Sequence, residues 1–160
     1  MKKIIIAAIS INNVIGCNQK IPWDNKEEIN YFKETTINNA VLMGSKTFLS
    51  IGSPLIDRIN IVISKTKREN SGNIFYFTSI IEALHYAYKL DFEKLFIIGG
   101  SEIYFQTFSE ADELLISRIP IIVDGDKYFP EIDKNDWELT EIIHNKTFNV
   151  EKYIRRIAKD

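Results

Sequence analysis

The sequence predicts an α/β fold built on a mostly parallel sheet with an antiparallel edge. Three observations lead there. Short β-branched apolar runs alternate with segments of helical period through the first part of the chain. Two of those runs end in glycine and pass directly into a helix start. The last stretch holds two long strand-like runs and no clear helix, the pattern of an antiparallel edge.

The elements follow in order. Lys3 to Ile11 is a β-branched run of strand length. Asn12-Asn13 and Gly16 mark a turn and an irregular loop running to Pro22-Trp23-Asp24. Asn25 to Thr36 is a helix. Ala40 to Met43 is a short buried strand ending at Gly44, and Lys46 to Ile51 is a short helix closed by Gly52. Asn60 to Ser64 and Ile74 to Phe77 are further strands. Ser79 and Glu82 form a capping box for a helix over 80–89, with Ile80, Ala83, Leu84 and Ala87 on one face. Lys94 to Ile98 is a strand running into Gly99-Gly100, followed by a helix from Ser101 to Phe108. Glu113 to Ile119 is a strand, and Trp137 to His144 pairs with Asn149 to Ala158.

At 160 residues, with no repeat or low-complexity linker, the chain reads as one domain spanning 1–160. Its 45% hydrophobic and 26% charged content is that of an ordinary globular protein, and a net charge of −2 gives no reason to expect nucleic acid as a partner. Lys65, Lys67 and Arg68 form a small basic cluster that suits either a solvated loop or a phosphate contact. The single Cys17 excludes an internal disulfide and fits a reducing cytosol. His85 and His144 are isolated, so no metal site is expected. MKKIIIAAISI stops at Asn12-Asn13 without a cleavage site and reads as a buried strand, and no stretch is long enough to cross a membrane. A cytoplasmic protein is the expectation.

Glu28 is the one charged residue on the wrong side of its helix. In NKEEINYFKETT, at about 100° per residue, Lys26, Glu27, Asn30, Lys33 and Glu34 share one arc. Ile29, Tyr31, Phe32, Thr35 and Thr36 share the other, with Glu28 in their middle. Burying an unpaired carboxylate is costly, and no neighbouring residue offers a cation on that face. The carboxylate therefore snorkels to water, meets an arginine from elsewhere, or faces a ligand. Two further features leave alternatives open. Gly44-Ser45-Lys46-Thr47 and Gly99-Gly100-Ser101-Glu102 are either ordinary turns or a pair of helix starts suited to two phosphates. Neither matches the dinucleotide fingerprint or the Walker motif. Trp23 and Phe32 fit a plain core, and Arg58 fits the surface.

Taken together, these segments resemble dihydrofolate reductase over nearly the whole chain. AAISINNVIGCNQKIPW at Ala7–Trp23 is followed by the acidic helix with Glu28, Phe32 and Lys33. VLMGSKTFLSIGSPL at Val41–Leu55, then Arg58, IIGGSEIY at Ile97–Tyr104, GDKYFP at Gly125–Pro130 and Trp137 keep the family's order. The resemblance implies a central eight-stranded, mostly parallel sheet with an antiparallel C-terminal edge and about four flanking helices. It implies hydride transfer from NADPH to C6 of 7,8-dihydrofolate, with a proton delivered to N5.

The same resemblance assigns roles. Glu28 matches the pterin-binding carboxylate, and Ser117 a hydroxyl bridging that acid to the pterin amino group. The carbonyls of Ile6 and Ile98 flank the pterin edge, while Phe32, Ile51 and Leu55, with Ala8 and Ile29 beside them, match the walls of the substrate cleft. Arg58 matches the grip on the substrate's α-carboxylate, and Lys33 touches the same tail. Ala8 and Ile15 match contacts to the nicotinamide carboxamide. Gly16 to Trp23, including Asn18 and Lys20, is similar to a mobile loop over the nicotinamide, which places Trp23 with the catalytic residues. Gly44, Ser45, Lys46, Thr47 and Ser50 match the phosphate-holding helix start. Ser64, Lys65 and Thr78 extend the cofactor site. Gly99-Gly100 matches a pair joined by a cis peptide, followed by Ser101, Glu102, Ile103 and Tyr104. Ser45 stands where many bacterial members carry arginine and Glu102 where some do, which implies a weaker preference for NADPH over NADH. The expected partners are dihydrofolate and diaminopyrimidine antifolates, and the expected state is a monomer. The nearest rivals are the pyrimidine reductase of riboflavin synthesis, which shares the fold, and a non-catalytic protein that has kept it.

Overall fold

The structure, a computed structural model, describes residues 1–157. Its element order is β1 (Lys2–Ser10), β2 (Val14–Gly16), α1 (Lys26–Thr36), β3 (Ala40–Gly44), α2 (Ser45–Ile51), β4 (Ile59–Ile63) and β5 (Ile74–Phe77). Then come α3 (Ile80–Tyr88), β6 (Lys94–Ile97), α4 (Ser101–Thr107), β7 (Glu113–Ile119), β8 (Lys127–Tyr128), β9 (Trp137–His144) and β10 (Asn149–Arg155). A single 3-10 turn at Phe108–Glu110 follows α4.

Eight strands form one sheet in the order β5-β4-β3-β6-β1-β7-β10-β9. The strands from β5 to β7 run parallel, and β10 runs antiparallel to both β7 and β9. This is the expected fold class. Its central strands read as unbroken apolar runs because both faces are covered: Ile4, Ile5 and Ile6 on β1, like Val41, Leu42 and Met43 on β3, are all buried. Tyr31 and Phe32 of α1 and Phe48 of α2 pack on the face formed by Ile4, Ile6, Val41, Met43, Val62 and Phe96. Ala83 and Ala87 of α3 with Ile103 and Tyr104 of α4 pack on the other, against Ile5, Ala7, Leu42, Ile61 and Ile97.

The helix ends follow their sequence signals. Asn25 accepts from the Glu28 N–H and Ser79 from the Glu82 N–H, and Gly52 closes α2 in a left-handed conformation at φ 86°. The carboxylate of Glu82 takes the Thr78 hydroxyl at 3.3 Å. Two expectations need correction. The segment after Asn13 is not wholly irregular: β2 pairs with β8 in a separate two-stranded sheet. Both strands are too short to show a period, and their pairing depends on a close approach of Gly125, where a Cβ would fall 2.2 Å from Val14. Strand β10 ends at Arg155, and Ala158 lies outside the described residues.

Candidate active site

The chain leaves β3 through α2 toward β4 and leaves β6 through α4 toward β7, although β3 and β6 are neighbours. Connections diverging from adjacent parallel strands open a crevice at the strands' carboxyl ends. The two glycine turns meet there. The Gly44 N–H donates to the Gly99 carbonyl at 2.9 Å. A Cβ on Gly100 would fall 3.2 Å from Thr47 Oγ1, and one on Gly44 would fall 3.2 Å from Ile103. Gly99 has φ 115°, and the Gly99–Gly100 peptide is cis, as the resemblance implied.

The four helices divide by their caps. α1 and α3 carry side-chain caps, whereas α2 and α4, which start in this crevice, have none. Their first N–H groups are therefore available to an anion. Ser64-Lys65 and Thr78 follow β4 and β5, so the carboxyl ends of β5, β4, β3 and β6 form a continuous polar row. At about 4.8 Å between strands this row is roughly 14 Å long, a good fit to an extended ligand with more than one phosphate. Lys46 and Lys65 are exposed along it, and Ser50 is exposed on α2. Ile103 and Tyr104 are buried against the glycine turn.

Beyond the row lies β1. Within its buried run, Ala8 alone is half-exposed, so the sheet floor is open there. On the far side stands Glu28, 9% exposed, in the first turn of α1. No cation among the described residues pairs with it. Burial pushes its carboxyl above the ordinary value, and the nearby Ser117 hydroxyl opposes that shift. Ser117 Oγ is itself buried and, beside that carboxylate, makes no well-formed hydrogen bond among the described residues. A buried acid and an orphaned hydroxyl side by side fit a ligand that brings N–H donors. The Tyr104 hydroxyl donates to the Ile6 carbonyl at 2.8 Å, and burial, reinforced by the Glu28 charge, keeps it a neutral phenol.

Arg58 is 8% exposed, not a surface residue. Its Nε donates to the Ile56 carbonyl at 3.0 Å and its Nη1 to Thr36 Oγ1 at 2.9 Å. It has no carboxylate partner among the described residues. Burial lowers its pKa, with Asp57 opposing, and a guanidinium remains charged regardless.

Phe32, Leu55 and Ile98 line the α1 face of the sheet together with Ile6. Trp23 packs with Ala8 and Tyr31 on Ile119, Phe148 and Val150. Ile15 and Gly16 lie in β2, and the Asn18 N–H donates to the Asp126 carboxylate at 3.1 Å. Lys20, Lys33 and Glu102 are exposed and Ser101 is half-buried. Ile29, placed on the apolar arc, is 58% exposed, and Ile51 is 38% exposed. The inward stripe of α1 is Glu28, Tyr31, Phe32, Thr35 and Thr36, the i, i+3, i+4, i+7, i+8 pattern, with Glu28 and Thr36 buried and the other three half-buried, and Ile29 falls beside it.

Sequence reasoning missed Asn60 and Asn73. Asn60 is fully buried, exchanges hydrogen bonds with the Leu55 N–H and carbonyl, and with Asn73 reaches the Arg58 carbonyl. The pair fixes the loop that carries Leu55 and Arg58. The available signal was a polar residue inside the apolar strand INIVI.

Comparison with known proteins agrees with this geometry. The family model described as dihydrofolate reductase matches residues 3–157. The chain is 36% identical over 135 residues to a dihydrofolate reductase of Haemophilus influenzae, covering 84% of this chain and 82% of that one. It is 39% identical over 150 residues to that of Buchnera aphidicola subsp. Baizongia pistaciae, covering 91% and 90%. The solved dihydrofolate reductase from Enterococcus faecalis, complexed with NADP(H) and RAB-propyl, superposes with a TM-score of 0.89 at 29% identity, covering 98% of this chain and 97% of that one. A buried carboxylate and two glycine turns at the carboxyl end of the sheet, with an arginine held at the far end of α1, thus have a common origin: the chain belongs to the dihydrofolate reductase family.

Proposed function

We infer that this chain is an NADPH-dependent dihydrofolate reductase that converts 7,8-dihydrofolate to 5,6,7,8-tetrahydrofolate in one-carbon metabolism. The observation that carries the reading is the juxtaposition of buried Glu28, which has no cation partner among the described residues, with a Ser117 hydroxyl that makes no well-formed hydrogen bond among them. A pterin supplies the missing partners, its 2-amino and N3 groups donating to the carboxylate and the amino group also meeting Ser117. Phe32, Leu55 and Ile98 hold the rings, and the carbonyls of Ile6 and Ile98 border the pterin edge. Arg58 binds the substrate's α-carboxylate with N–H groups not engaged by Ile56 and Thr36.

NADPH, when bound, supplies the hydride. The uncapped starts of α2 and α4, with Thr47, Lys46, Ser64 and Lys65, would hold its phosphates. Ala8 leaves the floor open where the two ligands meet, and Trp23 with its loop excludes water from above. Dihydrofolate gains the hydride at C6 and a proton at N5. Glu28, the ionisable side chain set against the pterin, favours ring protonation electrostatically, and the proton reaches N5 from Glu28 or through a water that it orients. Protonated diaminopyrimidine antifolates pair with the same carboxylate. The whole chain acts as one catalytic domain, as a soluble cytoplasmic monomer.

The test is a spectrophotometric assay of the purified protein with NADPH and dihydrofolate. NADPH is expected to be oxidised at a rate that saturates with both ligands. Oxidation no faster than the background without dihydrofolate defeats the reading.

A further inference from the structure

Glu28 sits in the first turn of α1, where backbone N–H groups have no partner one turn earlier and the helix is least constrained. Its own N–H is held by the Asn25 side chain at 3.0 Å. That cap is in turn held by a distant part of the chain, the tip of the β9–β10 hairpin. The Thr147 N–H donates to Glu27 Oε1 at 2.9 Å, and its hydroxyl lies 2.7 Å from the same oxygen. That hydroxyl is also 3.1 Å from Asn25 Oδ1, and Asn25 Nδ2 donates to the Thr147 carbonyl at 3.4 Å. The hydroxyl has one proton, and the shorter, charge-assisted contact to Glu27 is its better acceptor. The hairpin tip therefore grips α1 at the cap and at the residue before Glu28.

A second, independent contact fixes the tip itself. Phe148 is 3% exposed and lies in a cluster with Ile119 and Val150, on which Ala8, Trp23 and Tyr31 pack. Its ring centroid is 5.9 Å from that of Tyr31, the α1 residue one turn after Glu28. The Thr147 hydroxyl and N–H hold the Glu27 carboxyl below its ordinary pKa, with the Lys146 backbone and ammonium adding to the effect.

We propose that Thr147 and Phe148, at the tip of the β9–β10 hairpin, are positioning residues for Glu28: they lock the first turn of α1 over β7, and so set how the carboxylate meets the substrate. The functional half of this proposal rests on the reductase reading; the structural half does not.

Thr147→Ala removes the hydroxyl contacts and Thr147→Ser keeps them. Amide hydrogen exchange is measured over residues 23–31, with α3 as the internal control. Thr147→Ala is expected to speed exchange there by roughly three- to tenfold, with α3 unchanged and Thr147→Ser close to the parent. In steady-state assays Thr147→Ala is expected to raise KM for dihydrofolate several-fold, leave KM for NADPH unchanged, and be rescued by Thr147→Ser. Unchanged exchange in Thr147→Ala, or acceleration spread equally over α3, overturns the locking. Faster local exchange with both KM values and kcat unaltered overturns the link to Glu28. A parent protein that does not oxidise NADPH fails the reductase reading, and the exchange experiment still decides the locking.

Discussion

Arg58→Lys separates binding of the substrate tail from chemistry at the ring. A guanidinium has five N–H groups. In Arg58 the Nε donates to Ile56 and one Nη1 group to Thr36, leaving three for a ligand. Two of those three can take both oxygens of a carboxylate in a planar fork, which a lysine ammonium cannot reproduce while also reaching Thr36. Losing one charge-assisted hydrogen bond costs about 1.5–3 kcal/mol. That corresponds to roughly a 10- to 150-fold weaker affinity. The α-carboxylate is remote from C6, so the loss is expected in KM with kcat little changed. The assay compares dihydrofolate with a dihydropterin lacking the aminobenzoylglutamate tail. Arg58→Lys is expected to impair the first and spare the second. Equal impairment of both substrates, or of neither, refutes the reasoning.

Glu28→Gln keeps the shape of the site, removes the charge, and is expected to lower kcat by at least about tenfold. The folded protein holds the Glu28 proton more tightly than the unfolded chain. Stability is therefore fully present below the ordinary carboxyl value of 4.5 and falls as pH rises through the higher folded value. Glu28→Gln is expected to raise Tm near neutral pH and leave it unchanged in acid, which thermal unfolding at the two pH values checks. Ser45→Arg adds a cation beside the phosphate row and is expected to increase the ratio of kcat/KM for NADPH over NADH; in the parent that ratio is expected to exceed unity, and equal values sink this assignment. Gly125→Ala places a Cβ 2.2 Å from Val14 and 2.8 Å from the Gly16 carbonyl. It is expected to destabilise by about 1–3 kcal/mol, read as a fall in the urea midpoint.

What was legible in the sequence is what local physics determines. The apolar runs of β1 and β3 are buried on both faces, and the cap bonds at Asn25 and Ser79 and the stop at Gly52 form within a single turn of chain, although Thr147 also reaches Asn25 from the β9–β10 tip. Glu28 was legible because a carboxylate within an apolar stripe violates a local rule, and such violations concentrate at functional sites. What was not legible depends on distant partners. The pairing of β2 with β8 requires Gly125 to approach Val14 from 111 residues away, a separation visible only in the folded chain. Asn60 reads as a flaw in a strand until the Leu55–Arg58 loop folds over it. Arg58 reads as a surface residue until Thr36, at the end of α1, provides a buried acceptor. Ile29 satisfies the helical arc by type, but the sheet accepts only a narrower stripe.

On the proposed function, NADPH in the crevice between β3 and β6 delivers a hydride to a pterin held by Glu28. The most direct test uses NADPH carrying deuterium at the transferable C4 position, followed by mass analysis of the folate product. The expected product is tetrahydrofolate with a single deuterium at C6, formed by the parent protein and at a strongly reduced rate by Glu28→Gln. Dihydrofolate recovered unchanged, or tetrahydrofolate without deuterium at C6, contradicts it.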